Sequence, residues 1–460
     1  MHELTRLIRD DMKPALGVTE PGAIAFAVAK AKSYIDNGAV NSEAVNNKSE
    51  NSGKDEESLK QIRVILNSGM YKNAFSCGIP GSSQVGSAYA AALGYIAGDA
   101  DKGLESLAGV RPSDNEAAQK LISAGKVKIE LGEITSRIFI EATVETDSDK
   151  AVVTIKDSHT NITCIEVNGE IVYGSKAGSE AGRKDGYCAE PGTTGADDPA
   201  APVKLIHTYT LAGLVEYAES VDINEIEFIK AAYDTNRELF KAGLDSSKTT
   251  FAKHLLAANG GQIISTDEQK TASLLCNAAI EARVIGLDKP AMSITGSGAH
   301  GIIATMPLYA AYKVNGYSEE QLIRATALSY LICTYIKEYS GKLSAFCGCA
   351  IAAGTGMACA LVWLRGGTVE MMDHTISNMA SSITGMICDG GNQGCTMKGI
   401  AAVDAAYQSV RLAMDGVYIF SEHGINGRTP EETMRNMGLI ASPGMTATEK
   451  TIVQIFDNKR

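Results

Sequence analysis

Three cysteines in the C-terminal quarter of this 460-residue chain, Cys347, Cys388 and Cys395, offer the plainest chemistry in the sequence. Thiolates are the usual ligands of iron–sulfur clusters. Cys388 and Cys395 flank Asp-Gly-Gly-Asn-Gln-Gly (389–394). The three glycines let backbone wrap closely around an inorganic centre and turn its N–H groups inward. Zinc competes for such ligands, but finger-type sites separate paired cysteines by two to four residues, and six intervening residues fit that pattern poorly. Small buried hydrophobes beside a turn are the third reading of the same cysteines. Half of the ten cysteines fall between positions 347 and 395, an asymmetry that asks for a reason. Spacing alone leaves cluster, zinc and metal-free thiols open.

Three polar groups accompany them. Lys72 and Asn73 follow the strand-like run QIRVIL (61–66) and are expected in a loop above a strand end. A lysine, an amide and backbone N–H groups are what a substrate carboxylate needs, although a surface lysine in a polar loop is the commoner meaning. His159, Thr160 and Asn161 follow a second strand-like run, AVVTI (151–155). That histidine could bind a carboxylate or carry a proton, or merely satisfy nearby backbone. Thr295-Gly-Ser-Gly-Ala-His-Gly301 opens a predicted helix, where unpaired N–H groups favour anions, and it contains Ser297 and His300. No GK[ST] follows and no βαβ unit surrounds it, so it is neither a P-loop nor a dinucleotide fingerprint. No Ser–His–Asp elbow, HExxH or kinase signature is present.

The elements that must position these groups divide by period. Residues 1–58 read as an N-terminal helical segment, with Thr19 and Glu20 where a helix starts and Pro21 in its first turn, followed by the polar linker 44–59. Residues 59–190 alternate apolar and polar side chains in several short runs, with Asn168-Gly169 as a hairpin turn. They read as an α+β substrate domain. Residues 191–460 carry apolar side chains at three- and four-residue intervals and read as a helical domain holding the cysteine trio. The fold class is therefore α+β, with strands in the N-terminal half. Leu343–Leu364 carries no charge and is long enough to span a bilayer. Its glycines, cysteines and hydroxyls make a buried core helix the better reading, with no membrane partner. A formal net charge of −12 argues against a nucleic-acid partner. Asp10 and Asp11 lie where a secretory apolar core would run, so a cytoplasmic protein is expected. A homo-oligomer is compatible with the sequence.

The blocks GVTEPGAIAFA (17–27), SGMYKNAFSCGIPG (68–81), SHTNI (158–162), SITGSGAHGI (293–302), KLSAFCGCAIAAGTG (342–356) and GMICDGGNQGCTMKGIAAVDAA (385–406) occur in an order that resembles one family. The chain is similar over nearly its whole length to the iron–sulfur L-cysteine desulfidases, relatives of the alpha chain of iron–sulfur L-serine dehydratases. The resemblance implies a [4Fe–4S] cluster held by Cys347, Cys388 and Cys395, with Cys349 competing for the first place. It implies an iron open to substrate or water, since no cysteine follows Cys395. The implied reaction converts L-cysteine to pyruvate, ammonia and hydrogen sulfide. The implied roles are acid–base work for Glu20, His300 and Lys398, and binding of a small amino-acid substrate by Thr19, Lys72, Asn73, His159, Thr160, Asn161, Ser297 and Asp389. The family usually places a proton-transferring cysteine where this chain has Val18. That departure leaves L-serine or another β-substituted amino acid as an alternative substrate, and a non-catalytic cluster-bearing paralogue as a further reading. A pyridoxal-phosphate lyase acting through a lysine such as Lys72 is the competing enzyme class.

Overall fold

A computed structural model describes residues 1–36, 58–175, 203–341 and 343–459. The chain forms two compact units: Met1–Gly17 with Pro191–Glu449, and Val18–Glu190 with Lys450–Arg460. Among the described residues the strands are β1 (Lys13–Leu16), β2 (Leu59–Leu66), β3 (Val127–Leu131), β4 (Phe139–Thr146), β5 (Lys150–Lys156), β6 (Ile162–Val167), β7 (Glu170–Gly174) and β8 (Pro290–Ser293). The architecture is α+β, as the periodicity indicates.

The second unit is built on a six-stranded sheet in the order β3-β2-β4-β5-β6-β7. β2 pairs parallel with β3 and antiparallel with β4. The parallel pair needs a long connection, and the helices Ser87–Ala97 and Pro112–Ser123 supply it. Ile62, Val64 and Leu66 of β2 and Ile140, Ala142 and Val144 of β4 alternate into the core. Asn168 and Gly169 both adopt positive φ, which suits the two-residue turn joining β6 to β7. The helix Thr19–Asp36 lies on β4 and β5. It buries Ile24 and Val28 completely, each contributing roughly 1.5–3 kcal/mol. Lys72 and Asn73 do not sit in a loop. They end the short helix Ser68–Asn73, and Lys72 is only 1% exposed.

The first unit is helical apart from one short ribbon. The N-terminal segment read as helical contains a short strand between two helices. Glu3–Asp11 is helical, and β1 then pairs antiparallel with β8. The apolar run after Leu343 becomes a five-residue π-helical turn, Cys349–Ala353, continuing into the helix Gly354–Leu364. That helix is buried almost throughout by Glu319–Ser340, Val369–Ile383 and Gly394–Met414. Gly356 permits the approach, because a Cβ there would lie 2.3 Å from the Ser329 carbonyl oxygen. No helix among the described residues is long and apolar enough to cross a membrane.

Candidate functional site

The helical unit brings the cysteine trio together through backbone pairing. Phe346 and Ile387 form an isolated antiparallel bridge. The Cys347 N–H donates to the Met386 carbonyl at 3.0 Å, and the Cys388 N–H donates to the Ala345 carbonyl. Two segments forty residues apart are thus locked side by side at their cysteines. Cys395 follows one turn later, at the start of the helix Gly394–Met414. Asn392 shapes this turn: its side-chain oxygen accepts from the Gly394 N–H at 2.7 Å, and its amide donates to the Gly390 carbonyl at 3.2 Å. Cys347 is buried, while Cys388 and Cys395 are half-buried.

Lys398 reads this arrangement directly. Its ammonium is hydrogen-bonded to the Asp389 carboxylate. Burial acts to lower its pKa, but the bond to Asp389 and the proximity of Cys388, Cys347 and Cys395 outweigh it and hold the pKa above the ordinary lysine value. Burial likewise works against the Asp389 carboxylate, and the same bond to Lys398 keeps its pKa low. As thiols, Cys347 is pushed up by a hydrogen bond with Cys349 and by burial, and Cys395 is raised to about 11, chiefly by burial. Loading a metal would therefore displace protons.

The other side of the Cys347–Cys349 loop faces the start of the helix Gly298–Asn315. β8 ends at Ser293, and Ile294 and Ser297 close a tight turn by bonding each other's backbone. Thr295 and Gly296 occupy its corners at φ +52° and +76°. A β-branched residue rarely adopts that conformation. Here the Thr295 N–H donates to the Asp11 carboxylate, and its hydroxyl donates to the Ile294 carbonyl at 2.7 Å. The Thr295 oxygen lies 2.5 Å from His300 Nδ1. With its own proton committed, it accepts from Nδ1–H, which leaves Nε2 as an acceptor. A Cβ on Gly348 would lie 2.7 Å from that Nε2 and 3.1 Å from Lys337 Nζ. Burial, reinforced by Lys337 and Arg283, drives the His300 pKa down to about 3, so its imidazole is neutral at pH 7.

A separate polar group lies within the strand-rich unit. Glu20 is 4% exposed and accepts from Asn73 Nδ2 at 2.8 Å and from the Thr19 hydroxyl at 3.1 Å. His159 Nε2 stands 3.7 Å from the same carboxylate. Thr19, Glu20, Asn73 and His159 are therefore one cluster, held by the helix Thr19–Asp36, the end of Ser68–Asn73 and the β5–β6 turn. Thr160 and Asn161 are exposed, and the Asn161 amide donates to the Lys156 carbonyl at 3.0 Å, which shapes that turn. Val18 is buried at 3% exposure.

The family model for the serine dehydratase alpha chain matches residues 101–454. The chain belongs to the serine dehydratase alpha chain family. It is also similar to a UPF0597 protein of Clostridium botulinum, 37% identical over 453 residues and 98% of both chains. A UPF0597 protein of Caldanaerobacter subterraneus is 34% identical over 457 residues, covering 99% of this chain and 98% of that one. Another, from Clostridioides difficile, is 31% identical over 454 residues and 98% of both. The names of these relatives state no activity.

For a serine dehydratase alpha chain relative, the fit of an iron–sulfur centre can be tested on the side chains themselves. Among the described residues, no three His, Cys, Asp or Glu side chains converge on the position of one metal ion. The trio is thus no preassembled mononuclear zinc site. The three cysteines lie on two bridged segments and the first turn of the following helix. Beside them lie the half-buried Lys398 ammonium and the buried Thr396 hydroxyl, for which no partner lies within reach among the described residues. Sequence reasoning overlooked Lys337 and Arg283, both buried at 6% and 4% exposure. Nothing in their local sequence marks them, since each reads as a basic residue in the last turn of a helix.

Proposed function

We propose that the chain is an iron–sulfur-dependent lyase that eliminates the β-substituent of a small amino acid and releases ammonia. Cys347, Cys388 and Cys395 would hold a [4Fe–4S] cluster. When bound, the cluster supplies a Lewis-acidic iron to polarise the leaving group. The observation that supports this reading is the pairing of the Cys347 and Cys388 segments at the Phe346–Ile387 bridge, with Lys398 near all three cysteines.

The chain's own residues divide the remaining work. Asp389 fixes Lys398, whose ammonium balances the negative charge of a thiolate-ligated centre. His300 is proposed for acid–base work on the family resemblance, with Nε2 of its neutral imidazole as the atom free to accept a hydrogen bond. Thr295 fixes its tautomer. Ser297 lies at the start of the same helix, where backbone N–H groups favour an anion. Thr19, Lys72, Asn73, His159, Thr160 and Asn161 are proposed for substrate binding, and Glu20 as an acid–base group.

L-cysteine is the proposed substrate on the resemblance to desulfidases. A specific observation favours a second reading: the matching family model describes a serine dehydratase chain, for which the leaving group is a hydroxyl. The deciding experiment is ammonia release by anaerobically purified protein supplied with L-cysteine or L-serine. Release with sulfide supports the first reading, and release of ammonia and pyruvate from L-serine alone supports the second. No turnover of either, in protein carrying a full cluster, refutes both.

A further inference from the structure

We propose that Arg283 and the first turn of the helix Gly298–Asn315 form a carboxylate-binding subsite, which on the lyase reading takes the α-carboxylate of the substrate. The helix has 18 residues, and its N-cap residue Ser297 supplies no side-chain cap. The early N–H groups therefore receive no acceptor from Ser297, and the positive end of the helix is available to an anion.

Arg283 makes this more than a helix terminus. Its side chain is 4% exposed, and among the described residues no acceptor lies within hydrogen-bond reach of its Nε. A Cβ on Gly298, the first residue of the helix, would lie 2.8 Å from that Nε. The guanidinium thus packs against the first turn, and glycine makes room for it.

The surrounding charge does not satisfy the arginine. Glu281 precedes it by two residues on the same helix, but its carboxylate accepts from the N–H groups of Thr250, Phe251 and Ala252 at 2.8–3.1 Å. The charged groups acting on His300 are Lys337, Arg283 and Asp11: two cations and one carboxylate. Asp11 is engaged by the Thr295 N–H, and Lys337 donates to the Gly341 carbonyl at 2.8 Å. A buried guanidinium N–H left without an acceptor, as at Arg283 Nε, is costly. A planar carboxylate would restore two parallel N–H···O bonds at its fork. His300 sits two residues along the same turn, and its Nε2 faces Gly348 beside Cys347. A carboxylate at Arg283 would therefore be bound on the same helical turn as the proposed proton acceptor.

The test uses the full-length protein, purified anaerobically, and L-alanine as the titrant in calorimetry. L-alanine carries the carboxylate and amine but no β-leaving group, so binding is read without turnover. L-alaninamide, which lacks the carboxylate charge, should bind at least about tenfold more weakly. Arg283→Gln should weaken L-alanine binding about 10- to 100-fold, and Arg283→Lys should lose less. Thermal melting of both variants reports folding, and the alaninamide comparison needs no variant. The inference is overturned if wild-type protein binds no L-alanine, if alaninamide binds equally, if Arg283→Gln binds as wild type does, or if inorganic phosphate displaces L-alanine at equal concentration. Ammonia release is measured in parallel. Arg283-dependent binding without turnover would refute the lyase reading alone, and turnover with a KM indifferent to Arg283 would refute the subsite alone.

Discussion

Gly348→Ala probes the contact that ties the cysteine loop to the helix Gly298–Asn315. The added methyl would sit 2.7 Å from His300 Nε2, 2.9 Å from Lys337 Cδ and 3.1 Å from Lys337 Nζ. Real carbon contacts are longer, so at least one neighbour must move. Lys337 has a flexible stem but is anchored on the Gly341 carbonyl at 2.8 Å. His300 is pinned at Nδ1 by Thr295. Overpacking of this kind costs about 1–3 kcal/mol, which lowers Tm by about 1–3 °C in a chain of this size. The control is Gly385→Ala, where a Cβ meets nothing within 4 Å. Thermal unfolding monitored by circular dichroism separates the two. Combining Gly348→Ala with His300→Ala should recover part of the loss, because the double variant removes the obstructing ring. If Gly348→Ala melts with Gly385→Ala, His300 and Lys337 do not pack against the loop, and the acceptor role given to His300 loses its geometry.

Other outcomes follow from the same contacts. Gly301→Ala would place a methyl 1.9 Å from the Met292 carbonyl oxygen; backbone cannot yield there, and a loss above roughly 3 kcal/mol should appear as a collapsed denaturation midpoint. Glu130 tests pH dependence in the strand-rich unit. Hydrogen bonds from Arg63 and then Lys128 hold its pKa down to about 2 against an ordinary 4.5. A depressed folded-state pKa stabilises fully above the unfolded value and loses that stabilisation as pH falls from about 4.5 toward 2. Both partners are part-exposed, so screening leaves about 1 kcal/mol or less. Arg63→Gln should therefore be less stable than wild type to urea at pH 7 and nearly equal to it at pH 2. A gap that persists unchanged at pH 2 would contradict the pairing.

Much of the strand-rich unit was legible because its strands alternate and its hairpin uses Asn168-Gly169, where both residues take positive φ. The helices after residue 203 were legible from their apolar period, and the uncharged run after Leu343 is a core helix. The β1–β8 ribbon was not legible. Each strand has only four residues, too few to show a period, and their partners lie far apart in sequence. Lys72 was misplaced because a polar sequence, Asn-Ser-Gly-Met-Tyr-Lys-Asn, reads as a loop, whereas Met70, Tyr71 and Lys72 are all buried in a short helix. In the candidate site, cysteine spacing identified the residues but not the Phe346–Ile387 bridge that brings them together. The grouping of Glu20 with Asn73 and His159 depends on the packing of three segments, which no local pattern encodes. Arg283 was invisible for the same reason: only the folded unit shows its Nε against Gly298.

Iron and acid-labile sulfide, measured in anaerobically purified protein, test the central claim most directly. Wild type and Cys164→Ala, whose cysteine lies in β6 of the other unit, should each carry one [4Fe–4S] cluster per chain. Cys347→Ala, Cys388→Ala and Cys395→Ala should each lose most of it. A full complement of iron in Cys388→Ala, or wild-type protein that takes up no iron and sulfide, would contradict the account.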